Sequence, residues 1–375
     1  MVADPVERIE AVGLRVPLSR AFYGSHYAVG ARCPIVTRVI TRDGVVGEVY
    51  NGDDRANQEA IVRAIREELA PVVVGQDIFA VGRLWEEMIA RATADPLRDP
   101  RIGLQAVACV ESALWDALGK HVGRPLADVW GRYRCRLPVM VIGGYYDAQG
   151  GWDEAAIVKE AQEYRRLGVR ACKFKVGGLD PAADAARVRI LRKALGEDFT
   201  IAVDANQAWG RREALEFVGL TRDLRLYWFE EPVQGRLGPQ ALRDVRLMGG
   251  IPVTAGQSEL TPAACVALLT DGAIDICNFD ASAGGGIIPW RRVALAAESI
   301  GQRMAHHEEG QIAAQLLAAT EHAEFLEVFL PERDPVVTEM LGVWSTLKDG
   351  LYEVPDRPGF GLNLDPAFVA RYRVL

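Results

Sequence analysis

The stretch 171–178, ACKFKVGG, combines two lysines with a short apolar run and ends in two glycines. Lys173 and Lys175 alternate with apolar residues, which is typical of a β-strand whose successive side chains point to opposite faces. Both lysines therefore share one face. Since lysine is rarely buried unless it is paired, the pattern predicts a buried strand whose two ammonium groups serve chemistry or an ion pair.

Eight short apolar runs, this one included, alternate with amphipathic helical segments from about residue 135 onward. The runs are LPVMVIGG, ACKFKVGG, FTIAVDAN, LYWFEEP, IPVTAGQ, AIDICNFD, QRMAHH and EFLEV. Apolar strands that alternate with helices predict an α/β fold with a parallel sheet buried on both faces, and eight such units predict a closed (β/α)8-type barrel. The alternative, an open doubly wound sheet, favours a G-x-G-x-x-G turn after its first strand, and LPVMVIGGYYD has none.

The N-terminal part has a different order of elements. Residues 6–52 show strand patterns, with the turn signal RDG inside PIVTRVITRDGVVGEVY, and residues 55–120 show helical spacing. The last stretch, LYEVPDRPGFGLNLD, returns to turn and strand chemistry, and we expect it to pack on the N-terminal unit. The predicted domains are an α+β domain at 1–130, completed by about 346–375, and a barrel at 131–345.

Composition excludes several classes of function. The chain has 375 residues, 49% of them hydrophobic, and a net charge of −8, which disfavours nucleic-acid binding. No apolar run approaches the roughly 18 to 20 residues that cross a bilayer, and the N-terminus does not resemble a signal peptide. Six cysteines without a C-x-x-C pair indicate reduced thiols. We therefore expect a cytoplasmic protein without a membrane or nucleic-acid partner.

Polar residues cluster where the predicted barrel strands end, which is where barrels carry their catalytic groups. The strand-end residues are Lys173, Lys175, Asp204, Asn206, Glu230, Glu231, Gln257, Glu259, Asp280, His306, His307 and Glu327. They recur at intervals of about one strand–helix unit, so we expect them to converge on one mouth. Buried carboxylates need a neutralising partner, and Mg²⁺ prefers oxygen ligands, so Asp204 and Glu230 are candidate metal ligands. The alternative is that each acid caps the helix that follows it.

The lysines and the histidines have to be interpreted together with this metal site. One ammonium group suits a substrate carboxylate, and the other, held near cations, would have a lowered pKa and act as a base. Alternatively, both lysines only neutralise the acids. His306 and His307 cannot both point inward, and His307 with Asp280 would form an acid/base dyad. The alternatives are a core histidine and a turn-forming aspartate.

These motifs resemble the enolase superfamily and, within it, the mandelate racemase subgroup. KFK, VDAN, FEEP, NFD before ASAGGG, AHH and FLEV occur in the family's order and spacing, while GVVGEVY and ESALWDALGKHVGRPL are similar to its capping domain. The resemblance covers nearly the whole chain. It implies a modified TIM barrel with an N-terminal capping domain and Mg²⁺-dependent removal of the proton next to a carboxylate.

By position, the resemblance implies that Lys175 is the base on one face of the substrate and that Lys173 contacts the substrate carboxylate. Asp204 and Glu230 would bind Mg²⁺.

On the opposite face, the resemblance makes His307, backed by Asp280, the acid/base. Glu327 would hydrogen-bond the carboxylate or the enolate oxygen, and Asn206 is expected among the substrate contacts.

The strand-five motif departs from the family pattern. The family ends this strand with Gly-Glu, whose glutamate is the third metal ligand, but here the run is TAGQSEL and Gln257 takes that place. Gln257 can ligate through its carbonyl oxygen without adding charge. Glu259 would lie on the same face if the strand stayed extended. We favour Glu259 as the third ligand, with Gln257 alongside.

The resemblance implies an enzyme acting on a small-molecule carboxylate, and our leading hypothesis is an acid-sugar dehydratase. The loop AFYGSHYAVG supports it, because Tyr23, His26 and Tyr27 would line a polar pocket; alternatively they pack at a domain interface. A racemase or epimerase of a 2-hydroxy acid and a lactone cycloisomerase remain alternatives. An inactive barrel that serves as a binding protein is an alternative of another class. The resemblance also implies a homo-oligomer.

Overall fold

The N-terminal unit of the computed structural model begins with five strands; the structure describes residues 4–52, 54–342 and 347–375. The strands are β1 (Val6–Gly13), β2 (Val16–Tyr23), β3 (Ala28–Arg32), β4 (Ile35–Thr41) and β5 (Val46–Asn51). β1, β4 and β5 form an antiparallel sheet in that order, and β2 pairs with β3 as a hairpin. The antiparallel pairing of β4 with β5 confirms the predicted RDG turn.

Helices then cover this sheet, as the spacing of apolar residues predicted. They are α1 (Gln58–Ala64), α2 (Ala70–Val73), α3 (Val81–Ala92), α4 (Pro100–His121) and α5 (Leu126–Trp130), with a π-helical turn at Ile65–Leu69 between the first two. Asp99 caps α4 by accepting a hydrogen bond from the N–H of Arg101. The long helix lies directly on the sheet at Gly47, where an added Cβ would come within 2.1 Å of the Ala113 carbonyl oxygen.

Eight parallel strands form the barrel, and each corresponds to one of the predicted runs. They are β6 (Arg136–Gly143), β7 (Ala171–Lys175), β8 (Thr200–Asp204), β9 (Phe229–Glu230), β10 (Val253–Ala255), β11 (Ile276–Cys277), β12 (Arg303–Met304) and β13 (Leu326–Phe329). Neighbours along the chain pair from β6 to β12, and β13 pairs with β6. A parallel bridge between Met304 and Ala323 completes the ring.

Helices follow the first seven barrel strands and cover the outside of the ring. They are α6 (Glu154–Arg166), α7 (Pro181–Leu195), α8 (Arg211–Thr221), α9 (Gly238–Gly249), α10 (Pro262–Thr270), α11 (Ile287–Ser299) and α12 (Gly310–Ala318). Within the described ranges, β13 is followed by a 3₁₀ turn, Pro331–Arg333, and a π-helical turn, Val336–Met340. The barrel is thus of the modified type, in which short turns take the place of the eighth helix.

The C-terminal segment divides its contacts between the two units. β14 (Leu347–Lys348) and β15 (Leu351–Glu353) form a hairpin, and β15 adds antiparallel to the barrel strand β6. α13 (Pro366–Tyr372) returns to the N-terminal unit, where the N–H of Arg15 donates to the Tyr372 carbonyl at 2.9 Å. The prediction for LYEVPDRPGFGLNLD was therefore wrong for its first residues, because their backbone completes the sheet beside β6. The domain bounds 130 and 345 stay a prediction, since residues 343–346 lie outside the described part.

Candidate active site

A cavity of about 1000 Å³ lies between the C-terminal ends of the barrel strands and the N-terminal unit. Parallel strands bring their carboxyl ends to one edge, so residues far apart in sequence meet there. The barrel contributes Lys175, Asn206, Glu231, Gln257, Glu259, Asp280, His307 and Glu308 to the lining. The N-terminal unit contributes His26, Tyr27, Arg32 and Tyr50 among others. The structure thus brings most of the predicted site residues to one concave surface.

The two lysines of β7 are buried and ion-paired with the carboxylates of neighbouring strands. Lys173 Nζ lies 2.7 Å from Glu230 Oε1, contacts Glu327 Oε1 and is 4.0 Å from Asp204 Oδ2. Lys175 Nζ lies 2.6 Å from Asp204 Oδ2 and donates to Asn206 Oδ1 at 2.9 Å. This arrangement explains why a core strand carries two lysines on one face.

These ion pairs set the protonation of the lysines. Burial alone would lower the pKa of Lys175, but the charge of Asp204 outweighs it and holds that pKa well above its ordinary value. Burial likewise opposes the charge of Lys173, and Glu230, Glu327 and Asp204 raise its pKa. Carboxylates surround both ammonium groups in the chain itself, so the lowered lysine pKa, which was predicted beside a cation, stays a prediction.

The predicted dyad is present on the other side of the cavity. His307 Nδ1 lies 2.9 Å from Asp280 Oδ2, and Asp280 also accepts from the N–H of Ala283 at 3.0 Å. His306 is buried and does not line the cavity, and its Nε2 accepts from the N–H of Ala281 at 3.3 Å. Burial would lower the pKa of His307, but Glu308, Asp280 and Glu327 raise it to about 10.

The strand-five motif forms a turn rather than an extended strand. β10 ends at Ala255, and the N–H of Glu259 donates to the Gly256 carbonyl at 3.0 Å. The premise that Glu259 shares a strand face with Gln257 is therefore wrong, although both side chains line the cavity. Burial and the charge of Glu231 raise the pKa of Glu259. Which of the two residues would ligate a metal stays a prediction.

Glu231 is a cavity carboxylate that the sequence analysis noted without assigning it a role. It accepts hydrogen bonds from Gln207 Nε2 at 2.8 Å, from Gln257 Nε2 at 2.9 Å and from Ser258 Oγ at 2.5 Å. Gln257 Oε1 in turn accepts from Asn278 Nδ2 at 3.2 Å. The glutamine thus uses both ends of its amide, and it holds a neighbouring carboxylate in place.

Backbone strain also concentrates at the mouth of the barrel. Five non-glycine residues that follow barrel strands there have positive φ angles: Asn206, Gln207, Glu231, Glu308 and Glu309. Such conformations cost free energy and persist where the surrounding structure imposes them, often at functional sites. The strain is therefore consistent with side chains that are held for chemistry.

The N-terminal unit supplies part of the lining, but not all of it as predicted. His26 and Tyr27 line the cavity, and the Tyr27 hydroxyl donates to Asn206 Oδ1 at 3.2 Å. Tyr23 is not among the lining residues, because its neighbour Phe22 takes the cavity side of β2 and strand side chains alternate. Tyr50, which the sequence analysis missed, lines the cavity, and its buried hydroxyl has no hydrogen-bond partner among the described residues.

Three ligand-type side chains lie close together near the dyad. Asp280, His306 and Glu309 have ligand atoms within 4.8 Å of one another, and they are the one such group of three in the described ranges. Hydrogen bonds within the protein already engage their oxygen and nitrogen atoms: Glu309, for example, accepts from Ser282 Oγ at 2.6 Å and from the N–H of Gly52 at 2.5 Å. We therefore assign no metal to this group.

Family comparisons agree with this architecture. Residues 156–368 match the enolase C-terminal domain-like family, and residues 9–131 match the N-terminal domain of mandelate racemase / muconate lactonizing enzyme. The chain belongs to this family and is an enzyme of the enolase superfamily.

Curated relatives span several reactions. The chain is 27% identical over 350 residues to an arabinonate dehydratase of Saccharolobus solfataricus, covering 90% of each chain. It is 28% identical over 381 residues to a D-galactarolactone cycloisomerase of Agrobacterium fabrum, covering 95% of this chain and 96% of the relative. An L-Ala-D/L-Glu epimerase of Bacillus subtilis is 27% identical over 303 residues and 78% of each chain. The relatives thus include dehydratases, epimerases and cycloisomerases.

Solved structures have the same fold. A mandelate racemase/muconate lactonizing enzyme is 44% identical with a TM-score of 0.94, over 99% of this chain and 100% of that one. Another, from a marine actinobacterium in complex with magnesium, is 42% identical with a TM-score of 0.91 over 99% and 100%. The L-talarate/galactarate dehydratase of Salmonella typhimurium, liganded with Mg and L-lyxarohydroxamate, is 25% identical with a TM-score of 0.87 over 100% and 94%.

No helix in the described part of the chain is long and apolar enough to span a membrane.

Proposed function

We propose that this protein is a Mg²⁺-dependent dehydratase of acid sugars, which eliminates water to give a 2-keto-3-deoxy acid. The observation that carries the proposal is the placement of two proton-transfer groups around one polar cavity. Lys175 ends β7 and His307 follows β12, with β13 and β6 between them in the ring. Both side chains line the cavity, so a bound substrate would meet them from different sides.

The acids at the strand ends fit a hard divalent cation. Asp204 and Glu230 are completely buried, lie opposite each other in the register of β8 and β9, and present oxygen atoms. Burial, with the nearby negative charges, raises the pKa of Glu230 to about 8, and a cation would relieve this excess. Asp204, Glu230 and Glu259 would hold Mg²⁺, with Gln257 beside them. When bound, Mg²⁺ supplies positive charge that stabilises the charge developing on the substrate carboxylate.

The residues of the chain would divide the proton transfers between them. Lys175 would first have to give up a proton from its ammonium group. Its neutral Nζ would then accept the proton from the carbon next to the carboxylate, and the electron pair of that C–H bond would form a carbon–carbon double bond. His307 would donate its Nε2 proton to the β-hydroxyl, which leaves as water with the electrons of the C–O bond. Asp280 engages Nδ1 at 2.9 Å, whereas Nε2 has the looser contact with Glu308 at 3.5 Å, so Nε2 is the nitrogen that would face the substrate. Lys173 would add positive charge beneath the carboxylate.

Two kinds of observation favour an acid-sugar substrate. The cavity lining offers many hydrogen-bonding groups, including those of His26, Tyr50, Asn206 and Gln207, which suit a polyhydroxylated chain better than an apolar one. Two relatives are named as dehydratases of arabinonate and of talarate or galactarate. Abstraction of the same proton also begins a racemisation, an epimerisation or a cycloisomerisation, which are therefore the alternative outcomes of the test.

The test is turnover of a panel of aldonic and aldaric acids with Mg²⁺ in deuterated water. We expect formation of a keto acid from at least one of them, loss of activity in EDTA, and a loss of at least about a thousandfold in Lys175→Ala. Lys193→Ala, an exposed lysine of α7, is the matched control and should keep full activity. Exchange of the α-proton without loss of water would support an epimerase instead. If no acid turns over or exchanges, the protein is not a dehydratase of this class.

A further inference from the structure

Glu308 places a second carboxylate beside the candidate acid/base His307. It follows His307 directly, in a left-handed backbone conformation with φ of 51°. Its Oε1 lies 3.5 Å from His307 Nε2, and its Oε2 lies 3.4 Å from Arg32 NH1. The carboxylate therefore bridges the imidazole and a guanidinium group from the N-terminal unit.

Contacts of the backbone and of Arg32 hold Glu308 in this position. The N–H of Glu308 donates to Glu327 Oε2 at 3.2 Å, which fixes the backbone of the segment. Arg32, at the end of β3, is only 5% exposed, and its Nε donates to the Arg333 carbonyl at 3.2 Å. The guanidinium carbon of Arg32 lies 4.3 Å from the centre of the Phe329 ring. Arg32 is thus held in one position from which it orients the carboxylate.

Each ring nitrogen of His307 consequently has a carboxylate near it: Asp280 hydrogen-bonds Nδ1 at 2.9 Å, and Glu308 makes an ion-pair contact with Nε2 at 3.5 Å. A protonated imidazole donates from both nitrogens, whereas a neutral one donates from one and presents a lone pair at the other. The hydrogen bond at Nδ1 and the negative charge beside Nε2 therefore both favour the charged ring. The ionisable groups around His307 are Asp280, His306, Glu308, Glu309 and Glu327.

We propose that Glu308, positioned by Arg32, keeps the imidazole of His307 protonated, so that His307 acts as a proton donor in the reaction. The proposal rests on the role of His307 in the proposed function. Glu308 and Arg32 are then positioning residues. Because Arg32 belongs to the N-terminal unit, that unit helps to keep the proton donor of the barrel, His307, in its charged form.

Charge supports this geometry. The carboxylates around His307 outweigh its burial and raise its pKa to about 10, while Arg32 and His307 outweigh the burial of Glu308 and lower the pKa of that carboxyl group. A protonated His307 can give a proton to a leaving hydroxyl group, but it has first to lose one before it can act as a base. This asymmetry favours elimination of water over racemisation.

The test is a ¹⁵N NMR titration of the histidine side chains, in which the signal of His307 is assigned by its loss in His307→Gln. In Glu308→Gln, we expect the pKa of His307 to fall by about one to three units, the usual effect of removing an opposite charge at this distance. Glu332→Gln, an exposed acid after β13, is the matched control and should leave it unchanged. An unchanged His307 pKa in Glu308→Gln would overturn the proposal.

Arg32→Met tests the positioning role by the sign of the effect. Loss of a nearby positive charge alone would raise the pKa of His307, whereas release of Glu308 from its position would lower it. We expect the pKa of His307 to fall in Arg32→Met; a rise would show that Arg32 does not position Glu308. The titration needs no substrate, so it stands or falls separately from the proposed function. If the enzyme dehydrates an acid sugar, the alkaline limb of kcat should move to lower pH in Glu308→Gln.

Discussion

The hydroxyl group of Tyr50 offers a test in which stability and activity move in opposite directions. Tyr50 is 4% exposed, lines the cavity, and its hydroxyl has no hydrogen-bond partner in the described ranges. A buried polar group without a partner costs about 1–3 kcal/mol. Tyr50→Phe removes this group from the free enzyme, so we expect stability to rise by about 1 kcal/mol, or roughly 1–2 °C in Tm for a chain of this length.

Activity should change in the other direction. If the Tyr50 hydroxyl binds a hydroxyl group of the substrate, its removal leaves that group unpaired in the complex. We expect kcat/KM to fall by about tenfold or more, because a site built around a hydrogen bond discriminates strongly against its loss. The two measurements are thermal unfolding followed by calorimetry and steady-state kinetics on the acid that the panel identifies.

Tyr146→Phe is the matched control, because the chemical change is identical and the surroundings differ. The Tyr146 hydroxyl donates to Asp184 Oδ1 at 2.8 Å and accepts from the N–H of Gly178 at 2.9 Å. Its loss should lower stability by about 1–3 kcal/mol. A lower Tm in Tyr50→Phe would refute the idea of an unsatisfied hydroxyl, and an unchanged kcat/KM would refute its contact with substrate.

Two further variants test the buried charges. Burial raises the pKa of Glu111 to about 7 from 4.5, so ionisation of Glu111 destabilises the folded state. The free energy of unfolding of the wild type relative to Glu111→Gln should therefore be greatest below about pH 4.5 and fall by about 3 kcal/mol as the pH rises from there through 7. Denaturant unfolding at a series of pH values measures this difference, and a difference that does not change with pH would contradict the prediction. Gln257→Glu replaces the amide that donates to Glu231 with a second carboxylate, so the Tm of the variant in EDTA should lie below that of the wild type and should recover with Mg²⁺. Equal Tm values of variant and wild type in EDTA would contradict this prediction.

The barrel was predictable because its signals are local. Each strand is a short apolar run bounded by turn residues, and parallel strands share one carboxyl edge, so the meeting of Lys175, Asp204 and Asp280 follows from the order of the runs. The short turns that follow β13 in the described ranges were not predictable by counting strands, since the turn Val336–Met340 lies in a segment without a clear helical period.

The residues that sequence reasoning missed depend on contacts between distant segments. Tyr50 belongs to a run that has the pattern of an ordinary strand, and only the packing of the two units places this residue in the wall of the cavity. The contact of Arg32 with Glu308 joins residues 276 positions apart, and Glu308 reaches it through a positive φ that no propensity indicates. Glu259 was misplaced because Gly256 turns the chain where an extended strand was assumed.

The charge of the lysine cluster is a physical reason to expect a cation beside the two lysines. Asp204, Glu230 and Glu327 set three carboxylates against the two ammonium groups of Lys173 and Lys175, which leaves a formal charge of −1 in a buried space. A substrate carboxylate would raise this to −2, and uncompensated buried charge is costly. One divalent cation would offset this charge. The lysines therefore hold the acids together, whereas a carboxylate substrate bound beside them would favour a cation at the same site.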